Sequence, residues 1–359
     1  MTTWKFEWIT DWETIWSDDF TKKWRIWLDQ SWSSHVFFHP ALVKAWVETY
    51  IPLWDISPLF LIARHVDMTV FFPLVLWKRN WKNAFLREII PVGYSDFDYH
   101  DPIIVGKKED YEQDNFWSSF LEGLNLLGLS YDTINITGIR AKCAGTGPNW
   151  HEDEICPYCD ISDFTAPEEF LPTLKKSLRG DLRRQIRRLQ EQGELTYHVY
   201  SQDDLAESLA TLPEFLAFHT KHWPNAYKAS HFHENLLRQG LKEGLVHFSE
   251  LRLDGNPISW HLGFIGADRF YYYLPTIEPE YSKFSPGKVH LLKCVEEAIR
   301  LKLSIYDHLL GEESYKSGWT NKLERLSSFV QRKNSISSSA KYFMANKVKQ
   351  LILPENPTC

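Results

Sequence analysis

Hydrophobic and polar positions divide the first half of the chain into alternating helical and strand-like segments. Tryptophan and leucine recur at helical spacing in two segments, and apolar residues alternate with polar ones in the segments that follow. The predicted elements are helices over 11–30 and 40–50, strands over 59–66, 69–78 and 85–92, a helix over 109–127 and a strand over 131–137. The pattern therefore predicts helices, a meander of strands, then a helix and a strand.

The second half repeats this order. A hairpin is predicted at its centre because Asp254-Gly255-Asn256 separates two strand-like runs. The predicted elements are helices over 167–192, 203–222 and 233–242, hairpin strands over 246–253 and 257–265, a strand over 269–274, a helix over 286–302, strands over 304–309 and 327–332, and a helix over 338–351. The repeated order indicates duplication of one α/β unit.

A boundary between two domains is expected near residue 150. The segment 138–157 contains three Gly and two Pro and is typical of a loop. A chain of 359 residues also suits two domains better than one. We therefore predict an N-terminal domain over residues 1–150 and a C-terminal domain over 151–359.

Composition and charge exclude several classes of protein. The net charge is -7, which argues against a general nucleic-acid binder, since such proteins neutralise many phosphates. No apolar run approaches the ~20 residues that cross a bilayer, so we expect no membrane span and place the protein in the cytoplasm. Five unevenly spaced cysteines suggest reduced thiols rather than a disulfide framework, and the 16 Trp, 16 Tyr and 22 Phe mostly suggest core and interface packing.

The segment Tyr281-Ser-Lys-Phe-Ser285-Pro286-Gly287-Lys288 lies between a predicted strand and a predicted helix. Ser285 is a favourable N-cap residue, Pro286 suits the first helical position, and Gly287 lets a ligand approach bare backbone. Free N–H groups, the helix dipole and the Lys288 ammonium would favour an anion such as a pyrophosphate. The alternative is a well-capped helix with no ligand.

A second segment, Tyr306-Asp307-His-Leu-Leu-Gly-Glu312-Glu-Ser-Tyr315-Lys316-Ser-Gly-Trp319, gathers an acid, a base, a phenol and an amine after a predicted strand. Acyl transfer to an amine needs a base, a donor for the oxyanion and a proton donor for the leaving group. Asp307 is a candidate base or base-orienting group, Tyr315 a proton donor, and Lys316 a charge stabiliser. The alternative is a structural ion pair between Asp307 and Lys316.

These segments resemble the Fem-related acetyltransferase family often labelled CelD/BcsL-like. The similarity takes in Leu251-Arg-Leu-Asp-Gly-Asn-Pro-Ile-Ser, Tyr271-Tyr-Tyr273-Leu, Ser285-Pro-Gly and the Asp307 to Trp319 segment, in order and with matching spacing. It also includes Phe37-Phe-His-Pro-Ala-Leu-Val-Lys-Ala-Trp46 and the basic segment Arg179 to Arg188. The similarity therefore spans most of the chain.

The resemblance implies an α/β (α+β) fold of two tandem GNAT-like domains, each a mixed, mostly antiparallel sheet flanked by helices. It implies acyl-CoA, with acetyl-CoA the expected form, as the donor, bound by Ser285, Pro286, Gly287 and Lys288. The glycine-poor loop at these residues departs from the usual GNAT pyrophosphate loop. Fem-type transferases that use aminoacyl-tRNA are a related alternative, although the helical arm common in them is not found here.

The basic segment predicts an amphipathic helix. Leu178, Leu182, Ile186 and Leu189 cluster on one side at 100° per residue, and the arginines cover most of the other. This face is either a solvated surface or a site for an anionic acceptor or donor phosphates, since Arg presents a rigid fork to phosphate. In the functional interpretation the substrate contacts are Arg183, Arg184, Arg187, Tyr273, Glu312 and Trp319.

Cys156-Pro-Tyr-Cys159 is the only CxxC motif. With His151 or Cys143 it could supply zinc ligands, but no second CxxC lies at finger-like spacing, so we expect no metal. The scattered residues His219, His222, His231 and His233 are interpreted as surface or interface residues.

The function expected from the sequence is transfer of an acyl, most simply an acetyl, group from acyl-CoA to an amine or hydroxyl of a small-molecule, sugar or peptide acceptor, including an anionic one. The alternatives are a ligand-binding protein that has lost turnover and the aminoacyl-tRNA-dependent transferase. The sequence does not define the oligomeric state.

Overall fold

The structure is a computed structural model that describes residues 4–113, 115–224, 229 and 231–352. It divides into two compact units. The described residues up to Asp153, together with those from Leu326 onward, form the first unit, and Glu154–Arg325 form the second.

The elements up to residue 160 alternate short helices with strands. In chain order they are β1 (Lys5–Ile9), α1 (Trp12–Trp16), α2 (Asp18–Gln30), α3 (Pro40–Tyr50), β2 (Asp55–Pro58), β3 (Phe60–His65), β4 (Met68–Phe72), β5 (Leu74–Lys78), β6 (Arg87–Pro91), β7 (Ile103–Val105), α4 (Lys108–Gln113), α5 (Phe116–Leu126), β8 (Thr133–Arg140) and β9 (Trp150–Asp160).

The remaining elements begin with helices and end with one. They are α6 (Phe170–Thr173), α7 (Lys176–Gln190), β10 (Leu195–Tyr200), α8 (Leu205–His222), α9 (Phe232–Gly240), β11 (Val246–Leu253), β12 (Asn256–Gly266), β13 (Arg269–Ile277), α10 (Pro286–Arg300), β14 (Ile305–Asp307), β15 (Lys322–Arg332) and α11 (Ile336–Ile352).

The first unit contains two sets of paired strands. One has the order β1-β3-β4-β7 and is antiparallel throughout. The other has the order β15-β8-β6-β5-β2, in which only the β6 and β8 pair is parallel. Aromatic side chains fill the core of this unit, as Trp24, which is fully buried, packs edge-on against Phe60 and Phe71 at ring separations of 5.7 and 5.0 Å.

A buried ion pair holds the first unit together. The guanidinium of Arg140 lies 2.5 Å from the carboxylate of Asp101, and both side chains are almost completely inaccessible. Arg140 also donates to the carbonyl of Ser33 at 2.5 Å. Burial by itself raises the pKa of Asp101, but the charge and the hydrogen bond of Arg140, together with the nearby His35 and Lys142, outweigh it and hold that pKa below its usual range.

In the second unit, the strands have the order β10-β11-β12-β13-β14-β9, antiparallel except for the β13 and β14 pair. Helix α10 covers this sheet with an apolar face that includes Leu291, Leu292 and Val295, each nearly inaccessible. Phe270 and Tyr306 stack against each other within the same core at 5.0 Å. Burial of this face fixes α10 against the ends of β13 and β14.

The predicted hairpin is confirmed. Leu253 pairs with Asn256, and the two turn residues Asp254 and Gly255 both have positive φ, as a type I′ turn requires. The Asp254 carboxylate also accepts a hydrogen bond of 2.8 Å from the backbone N–H of Glu194.

Two local predictions are wrong. The segment 138–157 is not wholly loop, because β8 continues to Arg140 and β9 begins at Trp150. The first residues of β9 are mostly exposed and charged, so hydrophobic alternation does not reveal the strand. The single helix predicted over 11–30 is two, because Ser17 adopts an extended conformation and its hydroxyl caps α2 by accepting from Phe20 N–H.

The compact units also differ from the predicted domain ranges at the C-terminus. Residues from Leu326 onward belong to the first unit because β15 pairs with β8, and Lys341 in α11 binds Asp132 at 2.8 Å. The assignment of GNAT-like domains to 1–150 and 151–359 stays a prediction. Among the described helices, none combines the length and apolar character needed to cross a bilayer.

Candidate functional site

A cavity of about 370 Å³ opens in the second unit at the carboxyl end of β13. Its walls are formed by the end of α8, the last residues of β13, the start of α10 and the loop after β14. The lining residues are His219, His222, Trp223, Tyr272, Pro275, Thr276, Ile277, Gly287, Lys288, Leu291 and Tyr315. Most of this surface is apolar and aromatic, which is typical of a small-molecule site with a few polar groups that orient the ligand.

The first turn of α10 forms one wall of the cavity. Pro286 occupies the first helical position, as predicted. The predicted side-chain cap is wrong, because Ser285 adopts a left-handed conformation with φ 51° and its side chain makes no capping hydrogen bond. A Cβ on Gly287 would lie 3.2 Å from a methyl group of Ile277, so glycine permits the close approach of α10 to β13.

Lys288 is the one lysine or arginine among the described residues that line the cavity. Its ammonium lies 2.9 Å from the carboxylate of Asp181 in α7. The hydrogen bond from Lys288 lowers the pKa of Asp181. An anionic ligand at this turn would therefore compete with Asp181 for the lysine.

His219 and His222, near the end of α8, also line the cavity. The sequence interpretation placed them among surface or interface residues and assigned them no role in a site. They lie three residues apart, a spacing that puts both on one helix face and that could have identified them. Burial lowers the pKa of His219 to about 4 and keeps its imidazole neutral near pH 7. The Nδ1 atom of His222 lies 3.4 Å from the carbonyl of Phe218, which favours a proton on Nδ1 and a lone pair on Nε2.

Tyr315, in the loop after β14, forms part of the cavity wall. Burial, reinforced by the nearby charge of Glu313, raises the pKa of its phenol, which stays protonated. Tyr315 thus lies in one cavity with Gly287 and Lys288, two of the residues predicted to hold the donor.

Asp307 and Lys316 are buried elsewhere and are not among the lining residues. The carboxylate of Asp307 pairs with Arg269 at 2.5 Å and accepts from the backbone N–H of Leu309 at 2.9 Å. Lys316 does not pair with Asp307 but with Glu313, at 2.8 Å. The predicted Asp307–Lys316 ion pair is therefore replaced by two separate pairs.

The ammonium of Lys316 also holds its own loop. It lies 3.4, 2.7 and 3.2 Å from the carbonyl oxygens of Leu309, Leu310 and Gly311. Gly311 itself has φ 106°, and a Cβ there would lie 2.7 Å from the Glu313 carboxylate. The loop that carries Tyr315 is thus fixed by one buried ammonium and by a glycine in a conformation that other residues rarely adopt.

The other predicted substrate contacts are dispersed. Tyr273 follows Tyr272 on β13, so its side chain points to the opposite face, where it packs on Phe264. Trp319 is buried in the core and stacks with Phe170, whereas Glu312 is exposed. None of these three is among the described residues that line the cavity.

On the cationic face of α7, Arg183, Arg184 and Arg187 are exposed and Arg179 and Arg188 are half-buried, whereas Leu182 and Leu189 on the other side are buried. Arg184 pairs with Asp181 at 2.5 Å and Arg187 with Glu191 at 3.6 Å. Arg183 is exposed one position before Arg184. The amphipathic helix is confirmed, while its predicted role in substrate binding stays a prediction.

Cys156 and Cys159 both lie on β9 and are buried. A separation of three residues on a strand directs two side chains to opposite faces, so this pair is poorly placed to chelate one ion. None of the four described cysteines forms a disulfide, and Cys359 lies outside the described residues.

A protein-family model described as an acetyltransferase (GNAT) domain matches residues 176–317. The match includes all the described residues that line the cavity, the segment 281–288 and residues 306–317 of the second chemical segment. The match thus supports an acyltransferase of the GNAT type.

Solved structures with similar folds extend over most of the chain. FemX is 11% identical, covers 92% of this chain and 98% of its own, and has a TM-score of 0.58. A protein of unknown function from Bacteroides thetaiotaomicron is 13% identical, with coverages of 87% and 97% and a TM-score of 0.54. The C-terminal domain of a putative lysylphosphatidylglycerol synthetase from Agrobacterium fabrum is 15% identical, with coverages of 78% and 88% and a TM-score of 0.50.

Comparison with curated proteins gave no significant match. The chain has a FemX-like fold of mixed sheets flanked by helices, and residues 176–317 match the acetyltransferase (GNAT) domain model. The resemblance inferred from the sequence and the predicted fold class are both confirmed.

Proposed function

We propose that the protein transfers an acyl group from acyl-CoA to an amine or hydroxyl acceptor in the cavity of the second unit. The observation that carries this proposal is the placement of the α10 turn at Gly287 and Lys288 in the same cavity as Tyr315. The positive end of a 15-residue helix and the lysine favour the anionic part of the donor, and the apolar wall favours its acyl part.

The chemistry requires one proton acceptor and one proton donor. The acceptor nitrogen or oxygen attacks the thioester carbon, a C–N or C–O bond forms, and the C–S bond breaks. In this proposal Nε2 of His222 takes the proton of the attacking group, and the Tyr315 phenol gives its proton to the leaving thiolate. The raised pKa of Tyr315 keeps that proton available.

Asp307 and Lys316 act in this proposal as positioning residues rather than as groups that touch the substrate. Asp307 orders the start of the loop through Leu309, and Lys316 orders its middle. Together they hold Tyr315 at the cavity. The acceptor is a small molecule, sugar or peptide, and the arginine face of α7 would suit an anionic one.

The test combines donor binding with turnover. A panel of acyl-CoA thioesters is screened for thermal stabilisation of the full chain, and thiol release is then followed with amine and hydroxyl acceptors. Tyr315→Phe should lower kcat by about 100-fold while the KM for acyl-CoA changes little, because only proton donation is removed. Tyr273→Phe, on the opposite face of the sheet, is the control and should keep wild-type rates.

Three outcomes would contradict the proposal in different ways. Stabilisation by acyl-CoA without thiol release would indicate a binding protein. Absence of both, with transfer from aminoacyl-tRNA instead, would replace the donor by that of the Fem-type alternative. Wild-type kcat in Tyr315→Phe would remove Tyr315 from the chemistry.

A further inference from the structure

Two histidines and a cysteine meet in the interior of the second unit, apart from the cavity lining. His247 lies on β11, His261 on β12 and Cys294 on α10, and all three side chains are buried. One potential ligand atom from each lies within 4.8 Å of the other two. Three separate elements therefore direct metal-binding side chains to one point.

The two histidines lack the hydrogen bonds that a structural core histidine makes. Among the residues that the structure describes, neither ring nitrogen of His261 has a hydrogen-bond partner, and Nδ1 of His247 has none. Such unpartnered buried atoms lose their hydration without compensation and call for an explanation.

His290 shows the contrast within the same cluster. It lies one helical turn before Cys294, and its two ring nitrogens each lie 2.9 Å from a serine hydroxyl, those of Ser249 and Ser259. His290 is thus a satisfied core histidine, whereas among the described residues His261 has no partner at either ring nitrogen and His247 has one, the Tyr197 hydroxyl 3.2 Å from its Nε2.

We propose that His247, His261 and Cys294 bind one zinc-type divalent ion. Two imidazoles and a thiolate are a ligand set that Zn²⁺ prefers, and three protein ligands leave a fourth position for another oxygen. The hydroxyl of Tyr197 lies 3.2 Å from Nε2 of His247 and 3.8 Å from Sγ of Cys294, so it or a water molecule suits that position. On binding, the thiol releases its proton to solvent and the ion takes the resulting thiolate.

The spacing of the ligands agrees with this assignment. The three potential ligand atoms lie within 4.8 Å of one another. Metal–nitrogen bonds of about 2.1 Å and metal–sulfur bonds of about 2.3 Å place tetrahedral ligand atoms roughly 3.3–3.8 Å apart. Small rotations of three side chains would therefore close the site.

The ion would be structural rather than catalytic. None of its three protein ligands is among the described cavity-lining residues. However, His261 stacks on Tyr272 at 4.3 Å with the rings nearly parallel, and Tyr272 does line the cavity. Metal binding would tie β11, β12 and α10 together and fix that wall.

The experiment measures zinc directly on the full-length protein. After dialysis against a chelator, Zn²⁺ is titrated in competition with a chromophoric chelator, and Co²⁺ is used in parallel as a spectroscopic probe. We expect one tight site per chain, a higher unfolding temperature with Zn²⁺, and a thiolate-to-cobalt charge-transfer absorption. Cys294→Ser should remove the absorption and weaken Zn²⁺ binding at least about tenfold.

Cys143→Ser is the matched control, because Cys143 is another buried free thiol but lies in the first unit. It should keep the zinc affinity and the cobalt absorption. His261→Gln gives a second variant in case Cys294→Ser folds poorly. Failure of the wild-type protein to bind Zn²⁺, or equal affinity in the wild type, Cys294→Ser and His261→Gln, would overturn the proposal.

Discussion

Lys316 shows how one side chain can support a site that it does not touch. Its ammonium is buried against three backbone carbonyls and the Glu313 carboxylate, so removing it leaves several polar groups without their partner. If Lys316 were only the charge stabiliser that the sequence indicates, Lys316→Ala would abolish activity and leave folding intact. The contacts of its ammonium predict a different result.

We now expect Lys316→Ala to reduce both stability and turnover. The free energy of unfolding in urea should fall by about 2–4 kcal/mol, because a buried ionic group is removed from its partners. The kcat should fall as well, since the loop that carries Tyr315 loses its main anchor. Lys322→Ala, which removes an exposed lysine paired with Asp160, is the control and should change both quantities much less. Equal effects in the two variants would argue against the anchoring role.

At the scale of elements, the position of Lys288 in the first turn of α10 leads to a separate prediction about the binding of the donor. Lys288 lines the cavity, whereas Lys293 lies farther along the same helix and pairs with Glu296 at 2.7 Å. If Lys288 contacts the donor's phosphates, Lys288→Gln should raise the KM for acyl-CoA by about tenfold, the effect of one charge-assisted hydrogen bond. Lys293→Gln should leave that KM near the wild-type value.

Replacing Asp181 tests the same contact, and it should change the KM for acyl-CoA in the opposite direction. Because its carboxylate holds Lys288 in the structure, Asp181→Asn should free the lysine and lower the KM for acyl-CoA. Steady-state kinetics at low and high salt would measure both variants, since screening weakens the charge contact. An unchanged KM in Lys288→Gln would return this turn to the interpretation of a helix start without a ligand.

Helix α7 carries the prediction about the acceptor. Arg183 and Arg184 are exposed, so replacing both by glutamate should disturb the core little. If their face binds an anionic acceptor, the double variant should raise the KM for that acceptor by about tenfold or more while kcat changes little. The double reversal of Lys107 and Lys108, which are exposed in the first unit, makes the same change in net charge and should have no such effect. Equal KM values in both double variants would mean that α7 is only a solvated surface.

At the scale of the whole molecule, buried histidines set the response to acid. Burial lowers the pKa of several imidazoles to about 3 or 4, far below the value in an unfolded chain. These residues are His35, His100, His219, His233, His247, His290 and His308. They occur in both units.

The sign of the pH effect follows from which state binds more protons. Below about pH 6.5 the unfolded chain protonates these histidines and the folded chain does not, so each one removes up to about 1.4 kcal/mol of stability per pH unit as the pH falls. Summed over these histidines, the loss of stability exceeds the usual free energy of unfolding of a domain. We therefore expect cooperative unfolding near pH 5. Urea unfolding between about pH 7.5 and pH 5, with a chelator present, would measure it. Constant stability over that range would contradict the burial of neutral imidazoles.

The sequence determined most elements of the fold because their signals are local. The hairpin at Asp254-Gly255 follows from turn chemistry, and the buried face of α7 follows from the spacing of Leu182 and Leu189. The family resemblance, carried by short motifs in order, also came from the sequence. By contrast, the strand β9 begins with exposed charged residues, and only its pairing partners make it a strand.

The candidate site depended on tertiary structure, because its residues come from distant parts of the chain. Gly287, Lys288 and Tyr315 could be singled out by residue type, but nothing in the sequence showed that Tyr315 reaches the cavity while Asp307 is turned to Arg269. The cluster of His247, His261 and Cys294 was likewise invisible, since strand pairing and the docking of α10 bring these groups together, whereas the spacing of His219 and His222 on one helix face was visible in the sequence. Local periodicity and turn chemistry specify elements, and the packing of those elements alone decides which side chains share a cavity.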